Sequence, residues 1–388
     1  MRRLTFLFAC LMIAACEQAV EQTTSGSRVA LTERMAATPD PGFERAYAPR
    51  DFRFPADHGP HETFATEWWY FTGNLSTAQG RYFGYQLTLF RVALKPGAPP
   101  VDSDWRAHQL YMGHLAISDL ERRRHHSAER FSRAAAGLAG AQIEPLRIWL
   151  GPWSISGAPG TTFPLQLRAD TPELSLALTL RAGHKPMVLQ GERGLSRKSA
   201  APGNASYYYS FTRLPTDGVL HIREQSFQVS GASWLDREWS SSALAADQAG
   251  WDWFALQLDD GRELMYYQMR GVDGRPQPFS KGVLVGRDGS VEPLAQGDVE
   301  LTPVRTWQSD DGARYPVQWT LSIPRLGLQL DVEAAFDDQE VRHTVRYWEG
   351  AVRVRGSQSG RGYLELSGYA ALAPDGVSDQ VAQAVDRQ

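Results

Sequence analysis

The sequence predicts an all-β protein built from two similar antiparallel β domains, and two observations carry this prediction. First, one pattern of aromatic, Phe, Leu, Gly-Arg and Tyr-rich positions occurs in residues 67–91 and again in 250–270. Second, most of the chain after Phe52 consists of short β-rich runs separated by Gly, Pro or Asp-Gly, which is typical of antiparallel barrels and sandwiches. Two copies about 180 residues apart indicate a duplicated domain, because a solenoid repeat would recur more often.

The two copies read EWWYFTGNLSTAQGRYFGYQLTLFR and GWDWFALQLDDGRELMYYQMR. Each begins with two aromatic residues two positions apart, Trp68 and Tyr70 in the first and Trp251 and Trp253 in the second. A Gly-Arg pair interrupts each copy, and a run of this kind predicts a β-hairpin.

The same criteria predict strands in the rest of the chain. The predicted strands are 82–92, 108–117, 174–180, 207–214, 227–229, 251–258, 264–270, 317–323, 328–332 and 363–370. The best candidate for a helix is the Ala-rich segment 127–140.

The N-terminus reads as a targeting segment. Arg2 and Arg3 precede a short apolar run that ends Ile13-Ala14-Ala15-Cys16, which resembles a bacterial lipobox, where the chain is cut before a lipidated cysteine. The alternative is an ordinary secretory signal that contains Cys16. We therefore predict a lipoprotein signal peptide (1–16), a flexible tether (17–45), an N-terminal domain (46–235) and a C-terminal domain (236–375).

Composition narrows the class of protein. The net charge of −4 and the lack of a basic tract exclude nucleic acid as an expected partner. The 12 Trp, 14 Tyr and 16 Phe residues are typical of wide barrel cores and of apolar ligand pockets. Cys10 would leave with the signal and Cys16 would carry lipid, so the folded part has no thiol for a disulfide, a metal site or a nucleophile.

The segment Trp234-Leu235-Asp236-Arg237-Glu238-Trp239 is the sharpest candidate for catalysis. In an extended chain Trp234, Asp236 and Glu238 share one face, with the two carboxylates roughly 7 Å apart. Burial and a neighbouring like charge raise a carboxyl pKa, so one of the pair could act as a general acid. The alternative is a structural ion-pair network with Arg237 or Arg270.

A second candidate is the loop Phe54-Pro55-Ala56-Asp57-His58-Gly59-Pro60-His61-Glu62. Its two histidines and two acids suggest a metal site, but the loop lacks the helix and the spacing that zinc-protease motifs require. We therefore predict no metal and keep His58 as a candidate general acid or base.

Glu67 shares a strand face with Trp69, so it either polarises a bound ligand or pairs with an arginine. Tyr85 lies in the second strand of the same hairpin and is a candidate for a barrel wall. The chain has no Gly-x-Ser-x-Gly elbow, no phosphate-binding glycine loop and no dinucleotide fingerprint, so we predict neither a serine hydrolase nor a nucleotide cofactor.

Several long motifs together resemble the AttH-like / carotenoid 1,2-hydratase (CrtC-like) family. They are FPADHGPHETFATEWWYFTGNL, GYQLTLFR, WLDREWSS, GWDWFALQLDDGRELMYYQMR, YPVQWTLSIP, YWEGAVRV and GYLELSGY. The resemblance runs from about residue 50 to 370 and implies two tandem lipocalin-like β-barrels. It also implies a periplasm-facing lipoprotein in the bacterial envelope, with an ABC-type transporter component as a partner.

The hydratase branch of this family adds water to a terminal isoprenoid double bond, which implies a hydro-lyase activity on a hydrophobic substrate. Such a reaction needs a carboxylic acid that protonates the alkene, aromatic faces that stabilise the carbocation, and a base-held water. Asp236 or Glu238 would be the acid. Trp69, Tyr85, Trp234, Trp251, Trp253 and Glu67 would contact the ligand. A non-catalytic carrier that works with the transporter is the alternative.

Overall fold

The computed structural model describes residues 41–97, 108–242 and 244–370. Within these ranges the chain forms β-strands and three short 3₁₀ helices (Ala56–His58, Gln296–Asp298 and Pro324–Leu326). The predicted signal peptide, Cys16 and most of the predicted tether lie outside the described residues. Within the described residues no helix is both long enough and apolar enough to cross a membrane.

The first sheet has thirteen antiparallel strands, arranged in the order β4-β3-β2-β1-β13-β12-β9-β8-β7-β6-β5, with β10 and β11 also paired to β12. Its strands are β1 (Thr66–Ser76), β2 (Tyr82–Ala93), β3 (Gln109–Asp119), β4 (Arg124–Arg133), β5 (Ala139–Gln142), β6 (Arg147–Leu150), β7 (Trp153–Ser156), β8 (Leu165–Asp170), β9 (Leu174–Leu180), β10 (Val188–Leu189), β11 (Leu195–Arg197), β12 (Ala205–Ile222) and β13 (Gln225–Ser240).

The second sheet has ten antiparallel strands, in the order β17-β16-β15-β14-β23-β22-β20-β19-β18, with β21 paired to β22. Its strands are β14 (Gln248–Leu258), β15 (Glu263–Gly271), β16 (Lys281–Val285), β17 (Val291–Ala295), β18 (Glu300–Gln308), β19 (Arg314–Ile323), β20 (Leu328–Ala334), β21 (Glu340–Arg342), β22 (Arg346–Gly356) and β23 (Gly360–Leu366). Each sheet curls around its own apolar core, so the predicted all-β fold with two tandem lipocalin-like domains is confirmed.

Each copy of the repeat forms one hairpin, β1–β2 in the first sheet and β14–β15 in the second. The turns match, because Gly80 and Gly261 have φ of 83° and 86°, a region that glycine enters without steric cost. The faces match as well. Phe71 and Phe254 point into their own barrel cores, whereas Tyr70 and Trp253 point into a third apolar cluster that contains residues of both sheets.

Two expectations are corrected by the pairing. Segment 127–140 is not a helix: its first part lies in β4, which pairs with β3 along its whole length, and β5 begins at Ala139. Sheet pairing overrides a weak helix propensity here.

The predicted domain boundary between 235 and 236 falls inside β13, which hydrogen-bonds to β1 and β12 up to Ser240. The chain passes from one sheet to the other between Ser240 and Gln248.

Candidate active site between the two barrels

The apolar cluster between the barrels is walled by aromatic rings from both sheets. Tyr70 on β1 packs edge-to-face against Trp253 on β14, with ring centroids 5.2 Å apart. Trp234 on β13 meets the same indole edge-to-face at 6.3 Å. Strand alternation produces this arrangement, because the residues between these positions point into the barrel cores. The two barrels therefore share one aromatic cluster in addition to their separate cores.

Asp236 lies in this cluster, directly across from Tyr70 in the β1–β13 pairing. Its Oδ1 accepts hydrogen bonds from Trp234 Nε1 (2.7 Å) and Ser210 Oγ (2.5 Å). Its Oδ2 accepts one from the Tyr208 hydroxyl (2.5 Å), which in turn accepts one from Trp253 Nε1 (3.2 Å). The carboxyl is thus fixed by groups of the first barrel and linked through Tyr208 to the second.

Glu238 shares this face two residues further along β13 and is also buried. Its Oε1 is paired with Lys198 Nζ at 3.0 Å and accepts a hydrogen bond from the Ser206 hydroxyl. Lys198 in addition lies over the rings of Tyr208 and Tyr267. Asp236 and Glu238 therefore differ in environment: the first contacts neutral donors, and the second contacts a cation.

The second barrel contributes two more carboxyls, the fully buried Glu349 on β22 and the half-buried Glu365 on β23. They are direct cross-strand partners, so their side chains are neighbours on one face. Tyr70, from the first barrel, donates a hydrogen bond to Glu349. Trp251 Nε1 donates one to Glu365 at 2.9 Å. Carboxyls from both barrels thus converge on the same aromatic cluster.

Three of these carboxyls hold their proton more strongly than usual. Burial raises the pKa of Asp236 to about 7, although its three hydrogen-bond donors oppose the shift. Burial, together with Asp236 and Glu238, raises the pKa of Glu365 to about 8. Burial and the neighbouring Glu365 raise the pKa of Glu349 well above its usual range. The site therefore offers protonated carboxylic acids near neutral pH, which is the requirement for general acid catalysis.

Glu365→Gln is expected to make the protein more stable at alkaline pH. The folded pKa of Glu365 is about 8 and the unfolded value about 4.5, so the native state keeps a proton that the unfolded state releases. This bound proton makes its full contribution to the free energy of unfolding below pH ~4.5, and the contribution is lost as the pH rises from there to about 8. At pH 8 the variant should gain about 2–4 kcal/mol in urea unfolding. Exposed Glu121→Gln should change little, and equal pH slopes for wild type and Glu365→Gln would contradict the expectation.

A separate charged network occupies the opposite face of β1 and β13. Glu67 is fully buried and forms ion pairs with both Arg91 and Arg237. Arg237 also stacks over Trp69, with the guanidinium carbon 4.0 Å from the ring centroid. Although burial alone would raise it, Arg237 and Arg91 hold the pKa of Glu67 well below its usual range. Glu67 thus follows the arginine-pairing alternative of its two sequence interpretations.

Three other predicted site residues lie away from the carboxyls. Trp69 and Tyr85 belong to the core of the first barrel, where the Tyr85 hydroxyl contacts Ser233 Oγ at 2.6 Å. His58 contacts the Tyr209 hydroxyl at 2.6 Å through Nδ1, on the Arg237 face of the sheet. Burial and Arg237 lower the pKa of His58 to about 4, so the ring is neutral at neutral pH. The sheet itself separates His58 from Asp236.

The structure brings together Asp236, Glu238, Trp234, Trp251 and Trp253, all predicted from the sequence. The alternative named Arg237 or Arg270 as ion-pair partners of these carboxylates. Arg237 instead pairs with Glu67 and Arg270 with Asp252, while Glu238 forms its ion pair with Lys198. Glu349 and Glu365 were missed. Glu365 had a signal, because Trp234-Leu235-Asp236 and Tyr363-Leu364-Glu365 occupy matching places opposite the two repeat strands. Extending the repeat alignment to this segment would have identified it.

Comparison with solved structures places this double barrel among lipocalin-like proteins of known architecture. A candidate AttH protein from Nitrosomonas europaea is 34% identical, with a TM-score of 0.73, over 83% of this chain and 100% of that one. Kievitone hydratase from Nectria haematococca shares the fold, with a TM-score of 0.63 and 16% identity over 87% of this chain and 98% of that one.

The AttH-like family model matches residues 45–369. The chain therefore belongs to the AttH-like family. A search of curated protein sequences found no match.

Proposed function

We propose that this protein is a lipid-anchored, periplasm-facing lipoprotein that binds a hydrophobic, isoprenoid or polyene-like ligand between its two barrels and hydrates one of the ligand's double bonds by acid catalysis. One observation carries the proposal: Asp236 is a buried carboxyl whose hydrogen-bond donors in the described part of the chain are all neutral, and it lies among the rings of Trp234 and Trp253. Such a carboxyl can hold a proton next to an apolar molecule.

The first step would transfer the Asp236 proton to the less substituted alkene carbon. The π electron pair forms the new C–H bond, and the other carbon becomes a tertiary carbocation. Oδ2 is the better position for this proton, because it has one hydrogen-bond partner whereas Oδ1 has two. Ring faces of Trp234, Trp253 and Tyr70 would stabilise the cation by about 0.5–2 kcal/mol each.

The second step would add water to the cation. The water oxygen forms the C–O bond and its proton passes to a carboxylate, for which Glu238 is suited because it shares the face of Asp236 and is paired with Lys198. Return of this proton to Asp236 completes the cycle, and the net reaction consumes only water. General acid catalysis supplies about 10²–10⁴-fold, so the water-poor aromatic site must supply much of the rest.

The membrane location is proposed from the sequence alone: Arg2 and Arg3, the apolar run and Cys16 together resemble a lipoprotein signal. One lipid chain binds membranes only marginally, whereas two or three bind stably. A lipidated Cys16 would keep the barrels at the membrane surface, where a hydrophobic ligand is concentrated.

The test uses the full chain purified from the envelope fraction in mild detergent, followed by native mass spectrometry. We expect a co-purifying apolar molecule, and its conversion to an adduct that contains oxygen from isotope-labelled water. Cys16→Ser is the matched control, expected to bind the same molecule but to appear in the soluble fraction. A retained ligand with no adduct would favour a carrier for an ABC-type transporter. A protein that retains no apolar molecule and takes up none when offered would refute the proposal.

A further inference from the structure

A lysine that has no counter-ion among the described residues lies at the edge of the aromatic cluster. Lys281 opens β16 and shares its face with Val283 and Val285, both members of the cluster between the barrels. Tyr267 on β15 lies directly across from Lys281 and also belongs to this cluster. Side chains directly opposite on antiparallel strands have Cβ atoms about 4.5–5.5 Å apart. Lys281 therefore extends along the Tyr267 ring, at the margin of the proposed site.

A second lysine reaches the same ring. Lys198 Nζ lies 4.5 Å from the centroid of Tyr267 and is paired with Glu238. Its side chain is 17% exposed and Lys281 is half-buried, so this corner of the cluster is partly accessible to solvent. Arg197, next to Lys198 in the chain, is exposed. This corner therefore contains Lys198, Lys281 and Arg197, and Glu238 is the carboxylate that pairs with Lys198.

Lys281 has no such carboxylate among the described residues: its Nζ has neither a hydrogen bond nor an ion pair there. Burial, together with the nearby cations Lys198 and Arg197, lowers the pKa of Lys281 to about 8. A partly buried cation next to other cations is unfavourable in the free protein. An anion at this position would relieve that cost.

We propose that Lys281 and Lys198 bind the anionic head group, a carboxylate or a phosphate, of an amphipathic ligand whose hydrocarbon chain lies in the aromatic cluster. The inference rests on the proposed function, because it concerns the same ligand, and it adds the chemical class of the head group and the direction in which the ligand lies. The head would lie at the solvent-exposed corner, and the double bond would reach Asp236 inside. The charged head group would then contact the two lysines, and the hydrocarbon chain would contact the aromatic rings.

The experiment compares three ligands with one hydrocarbon chain: farnesol, farnesoic acid and farnesyl monophosphate. Calorimetry with the full-length protein at pH 7 should show tighter binding of at least one anion than of the alcohol. Lys281→Met should weaken that anion about tenfold or more and leave farnesol within about twofold. Exposed Lys95→Met is the matched control and should change neither. A preference between the acid and the phosphate identifies the head group.

A second measurement keeps the test decisive if Lys281→Met does not fold. In an Asp236→Asn, Glu365→Gln double variant, which removes the two carboxyls of the site that lose their protons near pH 7 and 8, anion affinity should fall as the pH rises through about 8, because the anion binds the protonated amine, whereas farnesol affinity should stay constant. Equal affinities for the alcohol and both anions, or no effect of pH or of Lys281→Met, would overturn the inference alone. Failure of all three to bind would count against the proposed function as well.

Discussion

Glu67→Ala should cost the protein about 3–5 kcal/mol of unfolding free energy. The substitution leaves two buried cations, Arg91 and Arg237, without their shared carboxylate. Both arginines are almost fully buried, so water cannot replace the lost partner. Urea unfolding at pH 7, followed by tryptophan fluorescence, measures the effect.

The matched control is the exposed pair Arg181–Asp217, whose side chains are 56% and 47% exposed. Asp217→Ala should change the unfolding free energy by less than about 0.5–1 kcal/mol, because exposed ion pairs contribute little. If Glu67→Ala lowered the unfolding free energy no more than this control does, the buried ion pairs of Glu67 would not stabilise the first barrel.

Asp236→Asn should lower the rate of hydration by about 10²–10⁴-fold. The amide preserves the size of the side chain. Its oxygen can still accept the hydrogen bonds from Trp234 and Ser210, and its NH2 group can donate to the Tyr208 hydroxyl, but it has no acidic proton to transfer. Ligand affinity should change little, since the aromatic rings remain. The assay uses the molecule recovered from the native protein, with farnesol as a defined second substrate.

Asp217→Asn, a surface carboxyl in the same sheet, is the control for the activity assay and should retain full activity. A pH profile adds a second readout: wild-type activity should fall as Asp236 loses its proton near pH 7. An Asp236→Asn variant with unchanged activity would remove Asp236 from the role of acid, and with it the proposed mechanism.

The fold could be predicted well from the sequence because its signals are local. Alternation, glycine turns and the duplicated Trp-rich hairpin each depend on neighbouring residues, and they identified two β domains. The helix predicted at 127–140 failed for a non-local reason: β3 provides a full-length hydrogen-bonding partner for this segment. No local pattern in the Ala-rich segment reports that partner.

The candidate site could be predicted only in part. Alternation placed Asp236 and Glu238 on one face with Trp234, which is what the structure has. Alternation cannot show which of two faces meets another barrel, so Trp69 and Tyr85 were assigned to the same site, although they lie inside the first barrel. Glu349 enters the site through a hydrogen bond from Tyr70, a residue far away in sequence, and only the packing of the two barrels reveals it.

The central claim is that a carboxylic acid stays protonated near neutral pH within the aromatic cluster between the barrels. The most direct test is an NMR titration of protein labelled with ¹³C at its aspartate carboxyls, with Asp236 assigned by its loss in Asp236→Asn. The account predicts a midpoint near pH 7 for Asp236. A midpoint near the ordinary value of about 4 would show that Asp236 is an anion at neutral pH and would contradict the account.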